Sequence, residues 1–178
     1  MAPALPKRLQ PASVWLLYIV GLLPAAWSFY LGATGGLGAD PVKSFELLLG
    51  LWTLRFLIAT LAVSPLRDLA GWNLIRYRRA LGLLTFYYAL MHFSVYAILD
   101  QALMLNAILA DVLKRPFIMF GMAALLLLIP LAITSNMASI RRLGKNWIRL
   151  HRLIYPIAAL GALHFALSTK VLTLEQYV

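Results

Sequence analysis

The sequence contains no cysteine. Disulfides, iron–sulfur clusters, thiolate-ligated heme and thiol redox chemistry are therefore excluded, and any redox role needs a cofactor held by other side chains. Charge is also scarce, at 12% of residues against 62% hydrophobic, with a mean hydropathy of +0.83. That leaves too little polar surface to cover a water-facing globule, so the solvent around this chain is mostly lipid. Acidic residues are the scarcest charges, six against sixteen basic, giving a formal net charge of +10. The basic residues fall in short clusters between apolar runs, which is the pattern of membrane loops and excludes a nucleic-acid partner. No repeat, low-complexity segment or Gly-x-Gly-x-x-Gly nucleotide loop is present. The chain thus has no soluble dehydrogenase module, and an electron donor would have to come from elsewhere.

Five apolar stretches, residues 14–31, 45–63, 80–99, 117–134 and 150–168, are long enough or nearly so to cross a hydrocarbon core of roughly 30 Å as helices. Lys7 and Arg8 precede the first run as they would a signal peptide, but the run is long and no small-x-small cleavage site follows, so it reads as a retained span. Pro24, Pro130 and Pro156 fall inside spans, where membrane helices tolerate them with kinks. Between the third and fourth spans, Leu105, Ile108, Leu109, Val112 and Leu113 recur at helical spacing. Residues 101–113 are expected to form a short helix on the outer interface, where a partner would dock with Asp100 and Asp111 as rim charges. The expected architecture is an all-α membrane bundle of five spans plus this interfacial helix, forming one domain over residues 1–178.

Orientation follows from the basic residues. Lys7, Arg8, Arg67, Arg76, Arg78, Arg79, Arg141, Arg142, Lys145, Arg149 and Arg152 fall on one side, against Lys43, Lys114, Arg115 and Lys170 on the other. By the positive-inside rule the N-terminus is cytoplasmic.

The three histidines, His92, His151 and His164, lie in or at the ends of spans, where an ionisable side chain is costly and a functional candidate by default. His92 is roughly 18 Å and His164 roughly 21 Å above the cytoplasmic starts of their spans, on the helical rise per residue. The two therefore reach similar depth on different helices, in the outer half of the bilayer. Three readings fit: axial ligation of one heme, one imidazole to each face; hydrogen bonds that tie neighbouring helices together; or a proton or metal path. Gly161, one turn before His164, leaves room for a porphyrin edge. His151 lies near the cytoplasmic interface between Arg149 and Arg152, and an ideal helix would set it about 140° around the axis from His164 unless Pro156 changes the phase.

On the third span Arg78 stands 14 residues before His92, within about 40° of the same face. That face therefore offers a cation at its inner end and no ligand. Arg55, in the middle of the second span, reads as a buried guanidinium that needs an anion such as a heme propionate or a flavin phosphate, or else a structural partner or water cavity. Two rivals of other classes use the same residues differently. One is a small proton-coupled transporter with His92, His164 and Arg55 as a relay, and the other is a membrane anchor without a redox centre.

Four segments carry a family resemblance. They are Gly-Leu-Gly-Ala-Asp-Pro-Val-Lys at 36–43, Ala-Thr-Leu-Ala-Val-Ser-Pro-Leu at 59–66, Arg-Arg-Ala-Leu-Gly-Leu at 78–83 leading to His92, and Arg-Leu-Gly-Lys-Asn-Trp-Ile-Arg-Leu-His-Arg-Leu-Ile-Tyr at 142–155 leading to His164. In this order they resemble the YedZ/MsrQ family, the heme-binding membrane subunit of the bacterial periplasmic methionine-sulfoxide reductase system, within the ferric-reductase-like transmembrane proteins. The resemblance implies a bacterial inner-membrane protein in which electrons pass from the quinone pool or a cytosolic flavin reductase through FMN and heme b. Their acceptor would be a periplasmic molybdopterin subunit that reduces methionine sulfoxide. It also implies that His92 and His164 match the family's heme-ligand positions and that His151 matches a third histidine. Relatives with two stacked hemes carry a histidine where this chain has Arg78. Arg78 and Arg79, near His151, are expected to hold the FMN phosphate. Family members usually continue with a sixth span and a basic cytoplasmic tail, whereas this sequence stops at Val178.

Overall fold

The structure, a computed structural model, describes residues 10–175, so the Lys7–Arg8 pair lies outside the described residues. Among the described residues every regular element is helical. The order is α1 (Gln10–Thr34), α2 (Pro41–Ala70), α3 (Ile75–Val95), α4 (Leu105–Lys114), α5 (Pro116–Ile133), α6 (Met137–Leu143), α7 (Lys145–His151) and α8 (Ile154–Glu175). Five helical stretches, Gln10–Thr34, Pro41–Ala70, Ile75–Asp100, Pro116–Ile133 and Lys145–Ser168, are long and apolar enough to cross a membrane, as the sequence led us to expect. Their outward faces are apolar, with Trp15 69%, Ile58 64% and Ile133 68% exposed. Water would not tolerate that surface, but lipid does.

The helix ends follow local chemistry. Asp40 caps α2 by accepting the Lys43 N–H at 3.1 Å, with Pro41 at the first helical position, where its missing N–H costs nothing. Gly71, at φ 71°, ends the same helix in the left-handed region that glycine enters freely. Beyond Val95, α3 widens into a π-helical turn over Tyr96–Asp100, and Ala102 and Leu103 follow with φ of 47° and 58°. Side chains are strained at such angles, and the Leu103 N–H bonded to the Ala97 carbonyl at 2.7 Å helps hold the turn.

Two compact units divide at Tyr96 and Ala97. In the first, α2 and α3 pack along their length, and α1 lies against both. Its core joins Ala25, Phe45, Leu49, Phe56, Leu84, Tyr88 and Val95. Tyr88 is fully buried, and its hydroxyl enters the hydrogen-bond ladder of α1. In the second unit α5 packs on α8, and α4 lies against α5. Its buried residues include Ile108, Ala124, Leu128, Leu131, Ile154 and Ile157.

The fifth span is not one continuous helix. Pro156 has no N–H to give the Arg152 carbonyl, and the Tyr155 N–H takes that carbonyl at 3.1 Å instead. The chain tightens there, and α7 ends at His151 before α8 begins at Ile154.

Candidate functional site

His92 and His164 are each half-buried, and each is tied to the helix packed beside its own. His92 Nδ1 lies 2.9 Å from the Glu46 backbone carbonyl on α2. His164 Nδ1 lies 2.6 Å from the Phe117 carbonyl on α5. A carbonyl oxygen only accepts, so in both rings Nδ1 carries the hydrogen and donates it. The neutral ring then carries its lone pair on Nε2. This is the tautomer of a metal-ligating histidine, whose other nitrogen donates to a backbone carbonyl or carboxylate. The interhelical hydrogen bond, one of the expected readings, is thus present at both residues.

His151 is held differently. The Thr134 hydroxyl donates to the Pro130 carbonyl at 2.7 Å, so it accepts from His151 Nε2 at 3.0 Å. The His151 ring also stacks on Trp147, with centroids 3.9 Å apart and planes at 24°. Trp147 Nε1 donates to the Thr134 carbonyl at 2.9 Å, closing a knot between α7 and the end of α5. His151 and His164 therefore both reach α5, one at Thr134 and the other at Phe117. Between them the chain leaves the regular helix, with α7 ending at His151 and α8 starting at Ile154.

The cations are distributed along α2 and α3. Arg78 Nη1 donates to Ser64 Oγ on α2 at 3.1 Å. Along α3, Arg78 and His92 thus engage α2 near its two ends, a cation at one and an imidazole at the other, and they do not come together. Arg79 is exposed beside it. Arg76, which the sequence did not single out, has a buried Nη1 with no hydrogen-bond partner and a guanidinium 5.8 Å from the Tyr77 ring centre. Arg55 corrects an expectation, because its side chain is exposed rather than buried. It shares the outward face of α2 with Leu47 and Ile58, while Leu49, Phe56 and Val63 take the inward one. Its guanidinium sits 4.6 Å over the Trp52 ring, a cation–π contact that offsets part of its desolvation.

Among the described residues no three His, Asp or Glu side chains group to hold a bare metal ion. An imidazole with its lone pair on Nε2 suits iron whose other ligands come largely from a porphyrin. Residues 47–162 match the family model described as the ferric reductase like transmembrane component. The chain is 67% identical to the protein-methionine-sulfoxide reductase heme-binding subunit MsrQ of Rhizobium meliloti, over 98% of this chain and 81% of that one. The chain belongs to the YedZ/MsrQ family. MsrQ of Agrobacterium fabrum is 61% identical over 97% of this chain and 80% of its own, and MsrQ of Brucella anthropi 62% identical over 92% and 76%. No solved structure matches the chain. The ferric-reductase-like match contains His92, His151, Arg55, Arg78 and Arg79, and His164 falls just past its end.

Sequence reasoning missed the acceptors. Glu46 and Phe117 act through backbone oxygens, which carry no side-chain signature. A faint signal was nonetheless available. Each is followed four residues later by a glycine, Gly50 and Gly121, and both glycines lie against the histidine rings.

Proposed function

We propose that this chain passes electrons across the bacterial inner membrane through one b-type heme whose axial ligands are His92 and His164. The observation that carries the reading is the matched pair of Nδ1–carbonyl bonds, which presents both rings through Nε2. The names of the relatives, heme-binding subunits of protein-methionine-sulfoxide reductase, support both the cofactor and the system it serves. Held by these two imidazoles, heme would supply one-electron transfer and would offer no site to a substrate. Methionine sulfoxide takes two electrons and two protons to give methionine and water, so the acceptor must collect two such transfers.

In this reading the N-terminus is cytoplasmic, by the excess of basic residues on that side. Electrons enter there from the quinone pool or a cytosolic flavin reductase. Arg78 and Arg79 hold FMN by its phosphate at the same end, and Arg55 offers a charge to an anionic group on the outward face of α2. His151 is held in its knot with Trp147 and Thr134. The acceptor is a periplasmic molybdopterin-containing subunit that reduces methionine sulfoxide in oxidised proteins.

Purified protein from heme-supplemented expression tests the central claim. It should be red, with a Soret band and a low-spin spectrum that His92→Ala or His164→Ala abolishes. A colourless protein would return the chain to the transporter or anchor readings, and unchanged spectra in both variants would remove these two ligands.

A further inference from the structure

The two histidines meet their neighbouring helices through one repeated device. A Cβ placed on Gly50 would lie 3.4 Å from both Cε1 and Nδ1 of His92, beside the Glu46 carbonyl that this ring reaches. A Cβ placed on Gly121 would lie 2.8 Å from Nδ1 and 3.0 Å from Cε1 of His164, beside the Phe117 carbonyl. In both cases the acceptor is residue i and the glycine residue i+4.

That spacing has a geometric cause. The carbonyl of residue i points along the helix toward the N–H of residue i+4, and the Cβ of residue i+4 leans back toward the N-terminus, over that oxygen. The helix bond uses one lone pair of the oxygen, and the side chain at i+4 normally screens the other. Glycine removes the screen, so a ring from the next helix can reach the second lone pair.

We propose that Gly50 and Gly121 are positioning residues that open the Glu46 and Phe117 carbonyls to His92 and His164, fixing the tautomer and ring plane of both imidazoles. This rests on the reading of the two histidines as heme ligands. Donation from Nδ1–H to a carbonyl makes the ring more basic at Nε2, which favours ferric over ferrous iron and holds the midpoint potential down. The two sites are not equivalent. An alanine at Gly50 meets the His92 ring at ordinary contact distance, whereas one at Gly121 overlaps His164 and must displace it.

The test uses the full chain in nanodiscs, loaded with heme, with midpoint potential and low-spin paramagnetic resonance g values as readouts. Gly121→Ala should raise the potential and change the g values. Gly50→Ala should stay near wild type, and Gly50→Val should behave like Gly121→Ala. Wild-type potential and g values in both Gly121→Ala and Gly50→Val would overturn the proposal. Should those variants fail to accumulate, pulsed paramagnetic resonance of the wild type reads the quadrupole coupling of the remote ring nitrogens. Strong Nδ1–H hydrogen bonds support the proposal, and values of an unbonded imidazole N–H overturn it. Failure of the ligand reading is distinguishable, because it shows in the wild type as a missing bis-imidazole signal before any glycine is changed.

Discussion

The Tyr88 hydroxyl donates to the Gly21 carbonyl at 2.7 Å while accepting the Ala25 N–H at 2.9 Å, so it stands inside a bond that α1 would otherwise make with itself. Pro24 lies in this turn and has no N–H of its own to give. Tyr88 is one turn before His92 on α3, so this contact fixes the helix that carries the proposed ligand. Phe56 and Trp52 surround the ring, with centroids 5.2 and 6.4 Å away. Tyr88→Phe keeps that packing and removes only the inserted hydroxyl. It should cost about 1 kcal/mol, the scale of an interhelical hydrogen bond in a membrane protein. Unfolding midpoints in mixed detergent micelles measure this, and an unchanged midpoint would mean that α1 closes its own ladder without loss.

At the other knot, Thr134 and His151 should act as a pair. Thr134→Val removes the acceptor and His151→Ala the donor, while the Trp147 bond to the Thr134 carbonyl survives in both. Combined, the two changes should cost less than the sum of the singles, by about 1 kcal/mol of coupling. Additive losses would mean that the stack of His151 on Trp147, and not the hydroxyl, holds α7 to α5.

Much of this architecture was legible because lipid imposes a strict rule on the chain. A helix that satisfies its own backbone over about 20 apolar residues is one of the few solutions in hydrocarbon, so the five runs announced themselves. Features that depend on which way a face turns were not legible. Arg55 read as buried because its neighbours in sequence are apolar, but a helix interrupted by one charge can present it outward, and only the packing of Phe56 and Leu49 decides that. The break after His151 was hidden as well, since Pro156 announces a kink without saying where the phase goes. Backbone acceptors at Glu46 and Phe117 have no side-chain signature, because any residue type supplies the same oxygen, and only the glycines four residues on mark them.

The proposed flavin site separates the roles of the cations on α3. The double variant Arg78→Ala, Arg79→Ala should lower flavin stoichiometry several-fold, since guanidinium groups bind phosphate bidentately and alanine offers nothing. Arg78 also donates to Ser64, so a structural effect needs its own control. Ser64→Ala removes that hydrogen bond and keeps the charge, and it should leave flavin content unchanged. Wild-type flavin in the double variant would move the phosphate elsewhere, with Arg76 the next candidate because its Nη1 is buried without an acceptor.

The last prediction concerns α4, where the structure changes what the sequence suggested. Leu105, Leu109 and Leu113 are 74%, 63% and 81% exposed and recur one turn apart, while Ile108 turns inward against the second unit's core. Asp111 is not a free rim charge, since its carboxylate is 16% exposed and pairs with Arg115 Nε at 3.1 Å. Asp100 remains exposed and takes a hydrogen bond from Gln101 Nε2 at 2.7 Å. A stripe of leucines beside membrane spans matches a helix lying in the interface with its apolar face in the acyl region. The absence of native cysteine makes the test clean, because a spin label at one introduced cysteine reports only that position. Labels at Leu105→Cys, Leu109→Cys and Leu113→Cys should collide with oxygen dissolved in lipid, and a label at Asn106→Cys with a nickel chelate in water. A partner would then meet the polar side, so Asp100→Asn should slow electron delivery at low salt while the heme spectrum holds. If the leucine positions are instead as open to the chelate as Asn106, the stripe is out of the membrane and available to the partner itself.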